Sequence, residues 1–423
     1  MALIFVLMLS LVGALFESAS VQIQKNNLRA RTMLAVESVF AEYDRGLLEE
    51  YDIFARFGKE EESFAERLRY YGASGAEHII EKIQLLSDNS GKSFYEQAIK
   101  YAKSDMGMED FSYGEKYTLE EVDMMKKKET ITHQNLNNLL NQEGMTLPLE
   151  NNPILIIENL KAMDLLTVLL SEDLELSNRN IRVQTLPSRR TLEQGNYRDA
   201  EMEEIGDKAF FVYYLAEHFS NKENTKEERS LLYEIEYLLE GESSDRENLT
   251  AVCQKMILIR MVANYAYLLS DVEKQNEAGI VAGFLCTATS VPEISEAVKQ
   301  AILFAWSYGE SVVDVRGLLR GNKIPIVKSS STWCLSLSQL MQVATGQIVG
   351  GVSSKESGMS YQDYLVALLL LEEQESLCLR GLDLIETNLD LRVDCCMTKV
   401  KIVSAAILRR EIEERYTTRF EYK

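Results

Sequence analysis

The chain has 423 residues, of which 46% are hydrophobic and five are proline, so it is long and apolar enough to bury one large or two ordinary cores. This composition excludes a disordered protein. The 66 acidic residues outnumber the 45 basic residues and give a net charge of −21, which argues against nucleic acid, or an anionic membrane surface, as a partner of the soluble part. Six cysteines are too few for a disulfide scaffold.

Residues from Met1 to about Asp44 predict one continuous helix. Residues 2–16 contain no charge, and Ser10 is their only polar member. From Leu28 to Tyr43 apolar residues recur at helical spacing with charged residues between them. At 1.5 Å per residue such a helix is roughly 65 Å long, about twice the thickness of a bilayer's hydrocarbon core. An apolar half that anchors and an amphipathic half that packs is the layout of a pilin-type subunit.

Three interpretations of the apolar run are open. The first is a membrane anchor formed by residues 2–23, which is long enough to span a bilayer if Glu17 is neutralised or paired. The second is a cleaved signal peptide with Ser18–Ser20 as the cleavage site, although no basic segment precedes the run. The third is a helix buried in a soluble core, which does not explain a place at the N-terminus. We expect the anchor.

Glu17, which ends the uncharged run, is the candidate assembly residue. A carboxylate beside lipid is costly, but it becomes favourable if it meets a positive group on a neighbouring subunit. The alternative is that Glu17 reaches the headgroup region. The basic residues Lys25, Arg29 and Arg31 follow the run, so the positive-inside rule taken alone places the bulk of the chain in the cytoplasm.

The segment after this helix predicts further helices. Helical periodicity dominates from Lys59 to Asp105, with a break at Asp88–Gly91, and residues 119–143 predict a charged helix. Ser171–Gly195 is rich in loop-forming residues and is the best boundary candidate. The predicted domains are an anchor with an amphipathic helix at 1–45, a helical domain at 46–195, and a helical domain with C-terminal strands at 196–423.

The second half is almost wholly helical in pattern. The segment Leu231–Leu239 alternates weakly, which favours a strand, and Met397–Ala406 and Thr417–Tyr422 alternate more clearly. The sequence therefore predicts a helix-dominated α+β fold. Its parts are the long N-terminal helix, a mostly helical globular body and a small antiparallel sheet that includes the C-terminal strand.

Motifs for catalysis are missing from the sequence. His218 follows Glu217, but a zinc protease helix requires a second histidine, and Gly317–Lys323 lacks the spacing of a phosphate-binding loop. We therefore expect no enzymatic activity, no catalytic residue, no cofactor and no metal ligand.

The cysteines are expected to be structural. Four of them lie in apolar or helical surroundings and are expected to be buried thiols, namely Cys253, Cys286, Cys334 and Cys378. The adjacent pair Cys395 and Cys396 is not expected to bind a metal, since no Cys-x-x-Cys pattern and no nearby histidine completes a site.

The run Leu34–Phe54 resembles the beginning of an uncharacterised family of anchored envelope proteins of Gram-positive anaerobes. Further matching stretches are Leu186–Gly195, Glu247–Leu249, Ile257–Arg260, Ala305–Glu310, Asp314–Leu319 and Met359–Leu365. Such proteins are associated with tight-adherence (Tad-type) pilus loci and are similar at the N-terminus to TadE/TadG pseudopilins. Family members usually carry a basic leader before the apolar helix, whereas this chain starts inside the helix. The resemblance places the bulk of the chain outside the cell.

Four residues in the matching stretches are interpreted as structural. Arg189 and Arg190 lie in the connector and are expected to pair with acids across the domain boundary. Trp306 lies on a helix whose apolar members face the core, so it is expected to be a packing anchor, and Glu310 follows on the same helix.

The resemblance implies a membrane-anchored extracytoplasmic subunit or accessory protein of a Tad-like pilus or secretion apparatus. Its partners are other pilus or secretion subunits, or envelope proteins, and the membrane through residues 2–23. Two alternatives stay open. One is an envelope binding module that acts independently of a pilus, and the other is an anchored hydrolase.

Overall fold

A computed structural model describes residues 2–107, 165–169, 176–197, 205–289, 295–344, 358–408 and 412–422. The helices are α1 (Ala2–Phe40), α2 (Arg45–Tyr51), α3 (Glu61–Tyr70), α4 (Asp88–Asp105), α5 (Leu165–Leu169), α6 (Ile205–His218), α7 (Glu234–Glu240), α8 (Asp245–Ser270), α9 (Val272–Thr289), α10 (Ser295–Leu319), α11 (Leu337–Ala344), α12 (Tyr361–Leu371) and α13 (Gln374–Leu389). The strands are β1 (Arg56–Phe57), β2 (Glu77–Leu85), β3 (Cys396–Ile407) and β4 (Glu413–Glu421). The predicted helix-dominated α+β fold is confirmed.

The chain forms two compact units that are discontinuous in sequence. Unit 1 contains residues 1–111, 183–214 and 374–423, and unit 2 contains residues 112–182 and 215–373. The sequence predicted domains that follow one another along the chain, with a boundary after Gly195. In the structure, the C-terminal strands belong to the same unit as the N-terminal helix.

The sheet of unit 1 is antiparallel and is built around β3. β2 pairs with one edge of β3, while β4 and the short β1 pair with the other edge. Side chains alternate along β3, so that Val400 and Ile402 are buried while Lys399 and Lys401 are half-exposed. The sheet therefore has one apolar face that another element must cover.

The C-terminal half of α1 covers that face. Its buried residues and those of α3 and the sheet form one core, made of Ala35, Val36, Val39, Phe40, Phe64, Leu68, Ala73, Leu85, Met397, Val400 and Ile402. α1 ends at Phe40, slightly before the predicted end, and Asp44 caps the next helix by accepting a hydrogen bond from the Leu47 N–H at 3.0 Å.

Unit 2 is helical, with α8, α9 and α10 packed together. Ser244 caps α8 by accepting from the Glu247 N–H. Apolar faces of α8 and α10 form the core, with Met256 and Met261 on one helix and Ile302 and Trp306 on the other. The helical periodicity of this half predicted both long helices.

Two predicted elements differ from the structure. The periodicity predicts helix for residues 77–85, but they form β2, because pairing with β3 overrides the local preference. The weakly alternating Leu231–Leu239 contains most of helix α7, which is followed by Gly241 in the left-handed conformation. The predicted break at Asp88–Gly91 is present, since Asn89, Ser90 and Gly91 all have positive φ. The charged helix predicted at 119–143 lies outside the described residues.

Candidate functional site

The first half of α1 is apolar and exposed. Its large hydrophobic side chains between Leu3 and Phe16 expose between 58% and 79% of their surface. Burying one such side chain contributes about 2 kcal/mol. Leaving the whole run in water therefore costs on the order of 20 kcal/mol. This half of α1 must meet an apolar environment.

Among the described residues, α1 is the one helix long and apolar enough to cross a membrane, and an N-terminal signal sequence would have the same length and composition. The apolar window of α1 has a mean hydropathy of 2.1 and is 0% buried. The interpretation of residues 2–16 as a helix of the soluble core is therefore wrong for this chain.

Glu17 lies where the exposed apolar half ends. Its side chain is half-exposed and lines a groove with Gly13, Val21 and Ile412. The first ion-paired residue of the packed half, Lys25, is eight positions further on, roughly 12 Å along the helix axis. Glu17 is thus placed between the apolar half and the packed half of α1.

Ion pairs join the middle of α1 to β4. Glu414 lies 2.7 Å from the Lys25 ammonium and also accepts a hydrogen bond from the Arg29 guanidinium. These two hydrogen bonds lower the pKa of Glu414 below its usual range. Further along the helix, the buried Thr32 hydroxyl lies 2.7 Å from the Tyr416 hydroxyl. β4 is therefore aligned with α1 by polar contacts at successive turns.

Aromatic rings pack where the C-terminal end of α1 meets the sheet. The ring of Phe40 stacks on Phe420 with centroids 4.3 Å apart, and it meets the rings of Phe64 at 6.0 Å and Tyr422 at 5.4 Å. The Tyr422 hydroxyl donates a hydrogen bond to the Phe40 carbonyl. We call the contacts of Lys25–Phe40 with β4 and α3 the dock. It fixes α1 to the sheet, while the residues before Lys25 project from it.

Arg190 joins three segments of unit 1. Its guanidinium donates to both carboxylate oxygens of Glu386 and to Asp394 Oδ1, the latter at 3.0 Å. Asp394 is fully buried, and burial alone would raise its pKa, but hydrogen bonds from Arg392 and from the Glu193 N–H lower it. Arg190 therefore has the structural pairing expected of it, but within one unit and not across a domain boundary.

The neighbouring Arg189 has an exposed side chain, and its backbone N–H donates to the Leu186 carbonyl at 2.9 Å. Ser188 donates to the fully buried Asp383 through its N–H at 2.8 Å and its hydroxyl at 2.6 Å. The Leu186–Gly195 stretch is thus attached to α13 mainly through Ser188 and Arg190.

Glu310 belongs to a buried charge network in unit 2. Lys328 Nζ lies 2.6 Å from Glu310 Oε1 and 2.6 Å from Asp314 Oδ1, and Arg260 Nη2 lies 2.9 Å from Asp314 Oδ2. Two cations and two carboxylates balance each other, as buried charges require. Glu310 also accepts from the Leu335 N–H at 2.7 Å. The network attaches the loop after α10 to the helices, which is a structural role.

Trp306 is fully buried in unit 2, as the packing interpretation expects. Its indole N–H donates to the Leu335 carbonyl at 2.8 Å, and its ring meets Trp333 edge to face. The Lys274 ammonium lies 4.6 Å from the Trp306 ring centroid and 5.1 Å from that of Trp333. A side chain of the chain itself thus occupies the place where a cationic ligand would stack.

Family comparison gives one match. Residues 143–406, more than half of the chain, match the model of a family of unknown function, DUF5702. The chain belongs to this family. No curated protein and no solved structure matches it. The DUF5702 match includes Arg189, Arg190, Trp306 and Glu310 but not Glu17, so α1 and β4 lie outside it.

Sequence reasoning missed one motif of this DUF5702 member. Gly91-Lys92-Ser93 follows strand β2 and begins the regular part of α4, as in the second half of a phosphate-binding loop, but Leu86 stands where such a loop has its first glycine. The Ser93 hydroxyl lies 3.0 Å from the buried Thr398 hydroxyl. These contacts favour a structural role for the segment.

Among the residues that the structure describes, no group of three or more His, Cys, Asp or Glu side chains could hold a metal ion. Cys253, Cys286, Cys378 and Cys396 are buried thiols and Cys395 is half-exposed. Cys334 is exposed, which corrects its predicted place in a core. Cys334 lies between Trp333, which packs against Trp306, and the buried Leu335, and its backbone N–H donates to Glu310 at 2.9 Å.

Proposed function

We propose that this protein is a membrane-anchored extracytoplasmic subunit or accessory protein of a Tad-like pilus or secretion apparatus, with no catalytic role. One observation carries the proposal, namely the division of α1. Its first half exposes an apolar surface, and its second half docks on an antiparallel sheet. This is the layout of a pilin-type subunit, and it agrees with the resemblance of Leu34–Phe54 to anchored envelope proteins of Tad-type loci.

The membrane anchor in this proposal is residues 2–23. The ion-paired residues Lys25 and Arg29 begin where the anchor ends, so the charged part of α1 stays with the sheet. Lipid around the apolar half removes the cost of exposing it to water. A single anchor of this kind leaves the two compact units on one side of the membrane, which we propose is the outer side.

Glu17 is the proposed assembly residue. A carboxylate in lipid is costly, and a positive group from a neighbouring subunit at this depth would stabilise an assembled state over a dispersed one. The partners in this proposal are other pilus or secretion subunits, or envelope proteins.

The deciding experiment is photo-crosslinking in the native host, with a crosslinking amino acid at the exposed Ile23. We expect the crosslinked products to contain pilus or secretion subunits. Glu17→Gln, which removes the charge and keeps the size, should leave resistance to carbonate extraction intact and reduce these products. The matched control is Glu37→Gln, an exposed glutamate of the docked half of the same helix.

Three outcomes would count against the proposal. If carbonate extracted the unmodified protein from the membrane, residues 2–23 would not be a membrane anchor. Crosslinked products without pilus or secretion subunits would favour an envelope binding module. If Glu17→Gln left the crosslinking unchanged, Glu17 would have no role in assembly and would only lie at the headgroup region.

A further inference from the structure

Apolar residues are exposed at the end of the β3–β4 hairpin. Ile407 is the last residue of β3 and exposes 79% of its surface, and Ile412, just before β4, exposes 39%. The Leu408 N–H donates to the Ile412 carbonyl at 2.9 Å, so the three residues lie together. We call Ile407, Leu408 and Ile412 the hairpin end. In a soluble protein such an exposed group of β-branched and aliphatic residues at a strand end calls for a partner.

Contacts with α1 determine where the hairpin end lies. Ile412 lines the same groove as Val21 and Gln22 of α1. Two residues further along the chain, Glu414 pairs with Lys25 and Arg29. β4 therefore follows α1, and its hairpin end lies nearest to the apolar half of the helix.

The proposed anchor determines how deep the hairpin end lies in a membrane. Val21 comes four residues after Glu17, about 6 Å along the axis of α1. If residues 2–23 cross the hydrocarbon core, the hairpin end is level with the point where α1 leaves that core. The headgroup layer there is several ångströms thick and accepts apolar side chains from one face of a peripheral element.

We propose that the hairpin end is a second membrane contact, seated in the headgroup layer of the bilayer that α1 spans. The proposal rests on the anchor of the proposed function and adds to it a surface of the folded unit. The exposed Glu413 and Arg415 beside the hairpin end pair with each other, and the proposal assigns the contact to the three apolar side chains. A second contact beside α1 prevents unit 1 from turning freely about the helix axis.

Tryptophan fluorescence tests this contact in the full chain. The variant Ile407→Trp is reconstituted in vesicles of zwitterionic phosphatidylcholine brominated on the acyl chains, and its emission is compared with that of the unsubstituted chain, which contains Trp306 and Trp333. We expect bromine near the headgroup to quench most of the added emission, and bromine near the end of the acyl chain to quench less of it.

The matched control is Ile79→Trp, at an isoleucine of the same sheet that exposes 60% of its surface. Ile79 pairs with Val403, four residues from Ile407 along β3, or roughly 13 Å further from the hairpin end. We expect the emission of this control to be the same in brominated and ordinary lipid.

Flotation and carbonate extraction of the same samples separate the two proposals. If the chain stays with the vesicles but the added tryptophan of Ile407→Trp is not quenched, the second contact is wrong and the anchor stands. If the chain leaves the vesicles, the anchor itself is wrong. A blue shift without quenching that disappears when the protein is diluted in lipid would show that a second copy covers the hairpin end, and would also overturn the proposal.

Discussion

Glu236 is a fully buried carboxyl group of unit 2 with an incomplete set of partners. Its Oε1 accepts from the Tyr361 hydroxyl at 2.6 Å and from the Lys222 N–H at 3.1 Å, whereas its Oε2 has no hydrogen-bond partner among the described residues. Burial is the main cause that raises the pKa of Glu236 from 4.5 to about 7. At this residue the fold therefore favours the protonated form.

The sign of the pH dependence follows from that direction. Because the native state holds the proton more tightly than the unfolded state, the free energy of unfolding falls as the pH rises from 4.5 to about 7. We expect Glu236→Gln, which cannot ionise, to be more stable than the parent at pH 8 by roughly 3 kcal/mol and equally stable at pH 4. Urea unfolding in detergent measures both values. The exposed Glu242→Gln is the control, and an equal effect of the two changes would contradict the prediction.

The cysteines give a second prediction at the scale of single residues. Burial raises the pKa of the Cys253, Cys378 and Cys396 thiols, and a thiol reacts through its thiolate. We expect a maleimide reagent to label Cys334 of the folded chain first and the buried cysteines only after unfolding. Mass spectrometry of the labelled peptides checks the order. A stoichiometric disulfide in the sample prepared without reductant would contradict the assignment of free thiols.

At the scale of elements, the dock makes α1 a part of the folded core of unit 1. Phe40 is fully buried among Phe64, Phe420 and Tyr422, whereas Leu34 of the same helix exposes 62% of its surface. We expect Phe40→Ala to lower the free energy of unfolding by about 3 to 5 kcal/mol, because it leaves a cavity between helix and sheet.

Leu34→Ala is the matched control for Phe40→Ala, and it should change the stability by less than about 0.5 kcal/mol. Urea unfolding of the full chain in detergent measures both variants. If the two substitutions had equal effects, α1 would not be docked on the sheet as described.

At the scale of the whole molecule, the residues before Lys25 contribute little to the folded core. Deleting residues 1–20 removes the exposed apolar half and keeps Lys25, Arg29 and Thr32, which contact β4. We expect this deletion to give a soluble, folded protein that no longer floats with vesicles, since the removed side chains are those that require an apolar environment. Circular dichroism and flotation are the measurements.

A second deletion tests which half of α1 the fold needs. Deleting residues 1–36 also removes the ion pairs and Ala35 and Val36 of the core, and it should give aggregated or unfolded protein. If the shorter deletion were insoluble as well, residues 2–20 would belong to the fold and not to an anchor.

The sequence by itself predicted the elements whose signal is local. The uncharged run followed by helical spacing predicted α1, and the apolar periodicity around Trp306 predicted its burial. Alternation predicted most of β3 and the second half of β4. Each pattern lies within one element, because side chains on one face of a helix or strand recur at that element's own period. The feature of the candidate site that could be predicted from the sequence was therefore the long apolar helix, with Glu17 at the end of its uncharged run.

Only the tertiary structure decided which of these elements meet. β2 is a strand because it pairs with β3 from the other end of the chain, and the local pattern of residues 77–85 does not reveal a partner so distant in sequence. The partners of Arg190, the exposure of Cys334 and the place of the hairpin end beside α1 depend on contacts between segments distant in sequence. A local pattern states which face of an element is apolar, but the element that covers this face is chosen by packing of the whole chain.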